Sequence, residues 1–165
     1  MKILHAADGS PHAEAVECLL NRIPCPDGTE VIVANVLEEF YVSSFGENIG
    51  EYVREVMHVE QIVHANEVLK SSAGRLSDHF KAVREELLAG PAADEIARLA
   101  ESEQVDLMSI GARGMNGLER FLLGSTSEKV LRRAPCSVLV AHRPTTAPGT
   151  GSVPDRLRLL VAFDG

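Results

Sequence analysis

The stretch that decides the fold runs Val105-Asp-Leu-Met-Ser-Ile110, Gly111-Ala-Arg-Gly114, nine further residues, then Gly124-Ser125-Thr126. An apolar run of strand length leads into two glycines. A third glycine precedes Ser127-Glu-Lys-Val-Leu-Arg-Arg-Ala134, which has a helical period. Glycine lets the backbone approach a ligand without a Cβ in the way, and a helix start turns free N–H groups and a positive dipole end toward an anion. Strand, glycine loop and helix start together read as a phosphate cradle.

Working outward, strand-like and helix-like segments alternate along the chain. Lys2-Ile-Leu-His-Ala-Ala7 is a buried strand stopped by Asp8-Gly9, after which Ser10 is an N-cap and Pro11 the first helical residue. Ala15, Val16, Leu19, Leu20 and Ile23 mark the apolar stripe of that helix. A second strand spans 29–36, and 38–50 has no clear period. A long helix follows over about 51–78, with Val53, Val56, Met57, Val63, Leu69, Ala73 and Leu76 on its core face. Further strands are expected over 80–88, 105–110 and 136–141, with helices over 92–100 and about 125–133 between them. Such alternation implies parallel pairing through right-handed crossovers, hence a doubly wound, Rossmann-like α/β sheet of five strands with helices on both faces. Ligands in these sheets lie beyond the carboxyl ends of the strands, where strand order reverses. If the first and fourth strands are neighbours there, Asp8 and Gly111 face one crevice.

Residues 1–143 make one domain, and Pro144 to about residue 156 reads as a linker. Leu159-Leu-Val-Ala-Phe-Asp-Gly165 then parallels Ile3-Leu-His-Ala-Ala-Asp-Gly9, sharing Ala, Asp and Gly in register. Residues 157–165 are therefore read as the start of a second repeat.

Bulk properties exclude several classes. The chain has 165 residues, 45% of them hydrophobic, and a net charge of −8, the wrong sign for a nucleic-acid surface. No apolar run reaches membrane-span length, and Asp8 and Glu14 interrupt any secretory core. Three cysteines without C-x-x-C spacing support neither a disulfide framework nor a zinc knuckle, and the six histidines form no metal-ligand cluster. A cytoplasmic setting without membrane or nucleic-acid partners is expected.

Ala7-Asp8-Gly9-Ser10, Gly90-Pro91, the Gly111-x2-Gly114-x9-Gly124-Ser125 spacing and the closing Pro135-Cys-Ser-Val-Leu-Val140 resemble the universal stress protein family, in its ATP-binding branch. The resemblance implies strand order 3-2-1-4-5. It implies contacts to adenine and ribose from Ala6, Ala7 and Asp8, and from the main chain at Val36. It implies phosphate contacts from Gly111, Arg113, Gly114, Gly124, Ser125 and Thr126, with Ile110 at the strand end before them. ATP with Mg2+ is the implied ligand. A homodimer, or a pseudo-dimer with a second repeat, would pair through the strand Cys136–Ala141.

Several of these residues have plain structural roles as well. Asp8-Gly9 is a turn signal, and Ser125-Thr-Ser-Glu128 fits a capping box that can coexist with anion binding. Glu128 would then stand close to the phosphates, with Arg113, Arg120 and Lys129 to offset it. Gly117 extends the glycine loop. Met57 is expected in the core, and Cys136 packs rather than reacts. The chain lacks G-x-x-x-x-G-K-[ST] and any base paired with a nucleophile, so no catalytic residue is named. This favours an ATP-binding sensor or regulatory domain over an enzyme, with slow hydrolysis or autophosphorylation at Ser125 or Thr126 left open. A nucleotide-free assembly module is the alternative.

Overall fold

Five parallel strands form one sheet in the order β3-β2-β1-β4-β5. In this computed structural model the described residues are 1–38, 51–114 and 123–142, the side chains of 51–56 excepted. Most of the 38–50 segment, Gly117, Arg120, the linker and the tail repeat lie outside them.

The strands are β1 (Lys2–Ala6), β2 (Glu30–Leu37), β3 (Ala82–Ala89), β4 (Leu107–Gly111) and β5 (Ser137–Ala141). The helices are α1 (Pro11–Leu20), α2 (Glu51–Ser77), α3 (Ala92–Ser102) and α4 (Ser125–Arg133). Strand alternation sorts the core into two layers. Ile3, Val31 and Val33 pack with Val16 and Leu20 of α1 and Leu69 and Leu76 of α2. Leu4, Ile32, Met108 and Ile110 face the other way, onto Ile96 of α3 and Val130 of α4. The sheet is thus covered on both faces, as buried parallel sheets require. Strand β1 lies between β2 and β4, so the order reverses between β1 and β4 and a crevice opens beyond their carboxyl ends.

The charges that make β3 unlike a buried strand follow from its place at the sheet edge. Arg84 bonds Glu30 at 3.1 Å and Glu103 at 2.8 Å, and also pairs with Glu86. Charged side chains on an edge discourage pairing with foreign strands.

Two apolar stripes differ from expectation. Helix α1 ends at Leu20, leaving Ile23 outside it, and its buried residues are Ala13, Val16, Glu17 and Leu20. Glu17 enters the core because partners await it there. His5 Nε2 lies 3.4 Å from its Oε1, Arg75 donates to the same oxygen at 3.1 Å, and Arg75 Nε donates to Oε2. Burial pushes the Glu17 carboxyl up, but His5 and Arg75 outweigh it and bring the pKa down to about 2. His5 Nδ1 in turn lies 3.2 Å from the hydroxyl of Ser109, its register partner on β4.

On α2, Leu69, Ala73 and Leu76 are buried as expected, with Ala65 and Val68 beside them, but Met57 is 48% and Val63 53% exposed. A Cβ built on Gly9 would lie 3.0 Å from Val68 Cγ2, so α2 meets the turn after β1 at residue 68. Residues earlier in α2 therefore rise beyond the carboxyl edge of the sheet, where none of the described strands covers them. Gly74 lies inside the helix, three residues short of its end at Ser77.

Candidate functional site

The turn after β1 and the glycine loop after β4 are joined at one point. Ser10 caps α1 by accepting the Ala13 amide at 3.2 Å, and its hydroxyl donates to the Arg113 carbonyl at 3.2 Å. Asp8 Oδ1 accepts the Ser10 amide at 2.9 Å, which is the turn role expected of Asp-Gly, and Gly9 takes the left-handed φ of +75° that the turn requires. The other oxygen, Oδ2, faces the glycine loop: a Cβ at Gly114 would come within 2.8 Å of it. Asn35 on β2 donates to the Ala7 carbonyl at 2.7 Å and fixes the turn from its other side.

The glycines divide the work. Gly111 is the last residue of β4 rather than the first of the loop, and a Cβ there would meet the α1 backbone at Ala13 N (2.8 Å) and His12 C (2.9 Å). It is glycine so that α1 can pack against the strand end. Gly124 donates its amide to Ala112 O at 2.7 Å and is the N-cap of α4, with an extended backbone and no side chain to accept from the first turn. The capping box expected of Ser125 and Glu128 does not form, because Ser125 is already the first helical residue. Glu128 bonds Arg132 at 2.9 Å instead, and Ser127 donates its hydroxyl to the Gly111 carbonyl at 2.7 Å. Among the described residues the amides of the first α4 turn thus lack a side-chain cap, the arrangement that suits an external anion.

A cavity of about 500 Å³ opens here. Ala6, Ala7 and Asp8 from the end of β1, Val36 from β2, and Ile110 and Gly111 from β4 all line it. Arg113, Gly114, Gly124, Ser125 and Thr126 line it as well, so every binding residue singled out from the sequence borders one space. Its wall also contains residues that the sequence did not single out: Asn35 and Glu38 of the β2 end, Gln61, His64 and Ala65 of α2, and Ala92 and Ile96 of α3. Asn35 carried a signal, a lone amide inside an apolar strand. Gln61 and His64 carried none, since their place depends on how far α2 rises past the sheet. Glu38 accepts the Ala92 amide at 3.3 Å and so supplies the carboxylate that Pro91, the N-cap of α3, lacks.

The cavity has two kinds of lining. Its inner end is apolar (Ala6, Ala34, Val36, Ile96, Ile110), while the glycine loop and the α4 start offer hydroxyls and amides. Among the described residues no cluster of three or more His, Cys, Asp or Glu is placed to hold a metal ion, and no helix is long and apolar enough to cross a membrane. Cys136 packs against the second core layer, and burial pushes its thiol up, away from the reactive thiolate.

A five-stranded parallel sheet in the order 3-2-1-4-5 with helices on both faces defines a Rossmann-like α/β class of fold. The profile of the Universal stress protein family matches residues 1–142, and the chain belongs to that family. It is 32% identical over 144 residues to Universal stress protein MJ0531 of Methanocaldococcus jannaschii, spanning 87% of this chain and 82% of that protein. Among solved structures, hypothetical protein MJ0577 superposes with a TM-score of 0.77 at 27% identity, over 88% of this chain and 97% of that one. A universal stress protein from Archaeoglobus fulgidus in complex with dAMP shares the fold (TM-score 0.61, 23% identity, 86% and 97% covered). So does an Arabidopsis thaliana family protein with AMP bound (TM-score 0.66, 12% identity, 88% and 93% covered).

Proposed function

We propose that this chain is an adenine-nucleotide-binding regulatory domain, with ATP as the ligand held at the β1/β4 switch point. The observation that carries this reading is the convergence of Asp8, Val36, Gly114 and Ser125 on one cavity from four separate places in the chain. The apolar inner end suits a base, and Asp8 Oδ2 stands where a ribose hydroxyl can donate to it. The uncapped start of α4, with the Ser125 and Thr126 hydroxyls, suits phosphates, and Arg113 lies beside them. Mg2+ enters as the counterion of the phosphates and takes no resident protein cluster. The dAMP and AMP complexes of proteins with this fold support the choice of an adenine ligand. With no base and nucleophile paired among the described lining residues, the domain acts by binding, in a cytoplasmic setting, and conveys occupancy through a dimer or through pairing with a second repeat.

One observation favours the assembly reading as a second function. Strand β5 is at the sheet edge, and Val138, Leu139 and Val140 are only half-buried there. Pairing with another such strand would cover them.

Calorimetric titration of ATP, ADP and AMP onto wild type and Gly114→Val tests the nucleotide reading. Binding that weakens with each phosphate removed and vanishes in the variant is the expected outcome. A valine Cβ displaces the Asp8 carboxylate as well as filling the loop, so the substitution strikes both ends of the site. No heat for any nucleotide, from folded protein free of carried-over ligand, leaves assembly as the function.

A further inference from the structure

We propose that His64 of α2 reads the charge of the bound nucleotide, its protonated imidazole drawing the phosphorylated ligand into the cavity. The proposal rests on the nucleotide reading above and extends it to regulation by pH. Gln61 and His64 are three residues apart on α2, and both face the cavity beside buried Ala65. Neither makes a hydrogen bond or ion pair among the described residues. Their height is fixed by the packing of Val68 against Gly9. One helical turn back from Val68, about 6 Å along the axis, His64 lines the same cavity that Asp8 borders.

The charges of the cavity give this side chain its task. Asp8 from the β1 turn, Glu38 from the β2 end and Arg113 from the glycine loop are the other charged lining groups, two carboxylates against one guanidinium. This leaves a net charge of −1, which opposes a polyanion. The neighbours of His64 on its own helix, Glu60 and Glu67, add further negative charge. Ala92 and Ile96 of α3, and Ser125 and Thr126 of α4, add none. A positive charge on His64 cancels the deficit in the lining.

The test is titration of ATP and of adenosine at pH 5.5, 6.5 and 8.0 onto wild type, His64→Gln and His64→Lys. Protonation of ATP itself is common to all three proteins and cancels in the comparison. Relative to His64→Gln, wild type should gain roughly fivefold in ATP affinity between pH 8.0 and 5.5, the scale of a partly exposed charge pair. His64→Lys should bind tightly across the range, and adenosine should show no dependence on residue 64. Equal pH slopes in wild type and His64→Gln, with ATP still bound, overturn the role of His64 and leave the nucleotide site standing. If none of the three proteins binds ATP or adenosine, the nucleotide reading falls and this proposal with it.

Discussion

The hydroxyl of Ser10 donates to the carbonyl of Arg113 across 103 positions of sequence, at 3.2 Å, while accepting the amide that opens α1. One fully buried side chain thus ties the turn after β1 to the glycine loop after β4, the two halves of the crevice.

Ser10→Ala removes the cap and the tie together. Urea denaturation should show a loss of about 1–2 kcal/mol, the usual size of a lost N-cap plus one buried hydrogen bond. Ser10→Thr keeps the hydroxyl and should recover most of it. If nucleotide binds as proposed, its affinity should fall in the alanine variant and return in the threonine variant.

Two glycines should respond in opposite directions. Gly111→Ala places a methyl against the α1 backbone, which cannot move aside as a flexible side chain would, and should cost about 1–3 kcal/mol. Gly74→Ala adds a methyl with nothing within 4 Å, inside a helix, and should stabilise by about 0.5–1 kcal/mol. Thermal melting of both variants checks the pair. A neutral Gly111→Ala would show that α1 does not press on the strand end.

The buried Glu17 carboxyl makes stability depend on acid. Its pKa falls from 4.5 to about 2 in the folded chain. The stabilisation is therefore complete above about pH 4.5 and is lost as pH falls toward 2, to a total of about 3 kcal/mol at most. Glu17→Gln should destabilise the protein at pH 7 and flatten this part of the profile. A variant with unchanged acid sensitivity would assign the loss to other carboxylates.

Asp8 has two separable tasks. Asp8→Asn keeps an oxygen for the Ser10 amide and should leave stability within about 0.5 kcal/mol, whereas Asp8→Ala should lose about 1 kcal/mol. If Oδ2 receives a ribose hydroxyl, both variants should weaken nucleotide binding by about tenfold. Equal affinity in Asp8→Asn and wild type would confine Asp8 to the turn.

Much of the frame was legible because its causes are local. The Ser10 cap with Pro11 behind it, the period of each segment and the glycine spacing all act within a few residues. Each led to an element within a few residues of its observed bounds. Eleven residues that line the cavity were legible for the same reason, since most of them end a strand or begin a helix. The errors fell where burial depends on what lies opposite. Met57 and Val63 have core-like side chains but sit on a helix that outruns its sheet, and Glu17 has a surface-like side chain but meets His5 and Arg75 inside. The Ser125 capping box failed because Gly124 took the N-cap position.

By itself the sequence determined the alternation of strands and helices, the parallel sheet that follows from it, and the glycines at the end of β4 and the start of α4. These depend on backbone preference and hydrophobic period, which are written in neighbouring residues. Tertiary structure alone decided which residues share the cavity with those glycines. Gln61, His64 and Asn35 reach it through the crossing of α2 and the pairing of β2 with β1, and the tie from Ser10 to Arg113 exists only once β1 and β4 lie side by side. Such contacts join residues distant in the chain, and no local pattern encodes the distance between them.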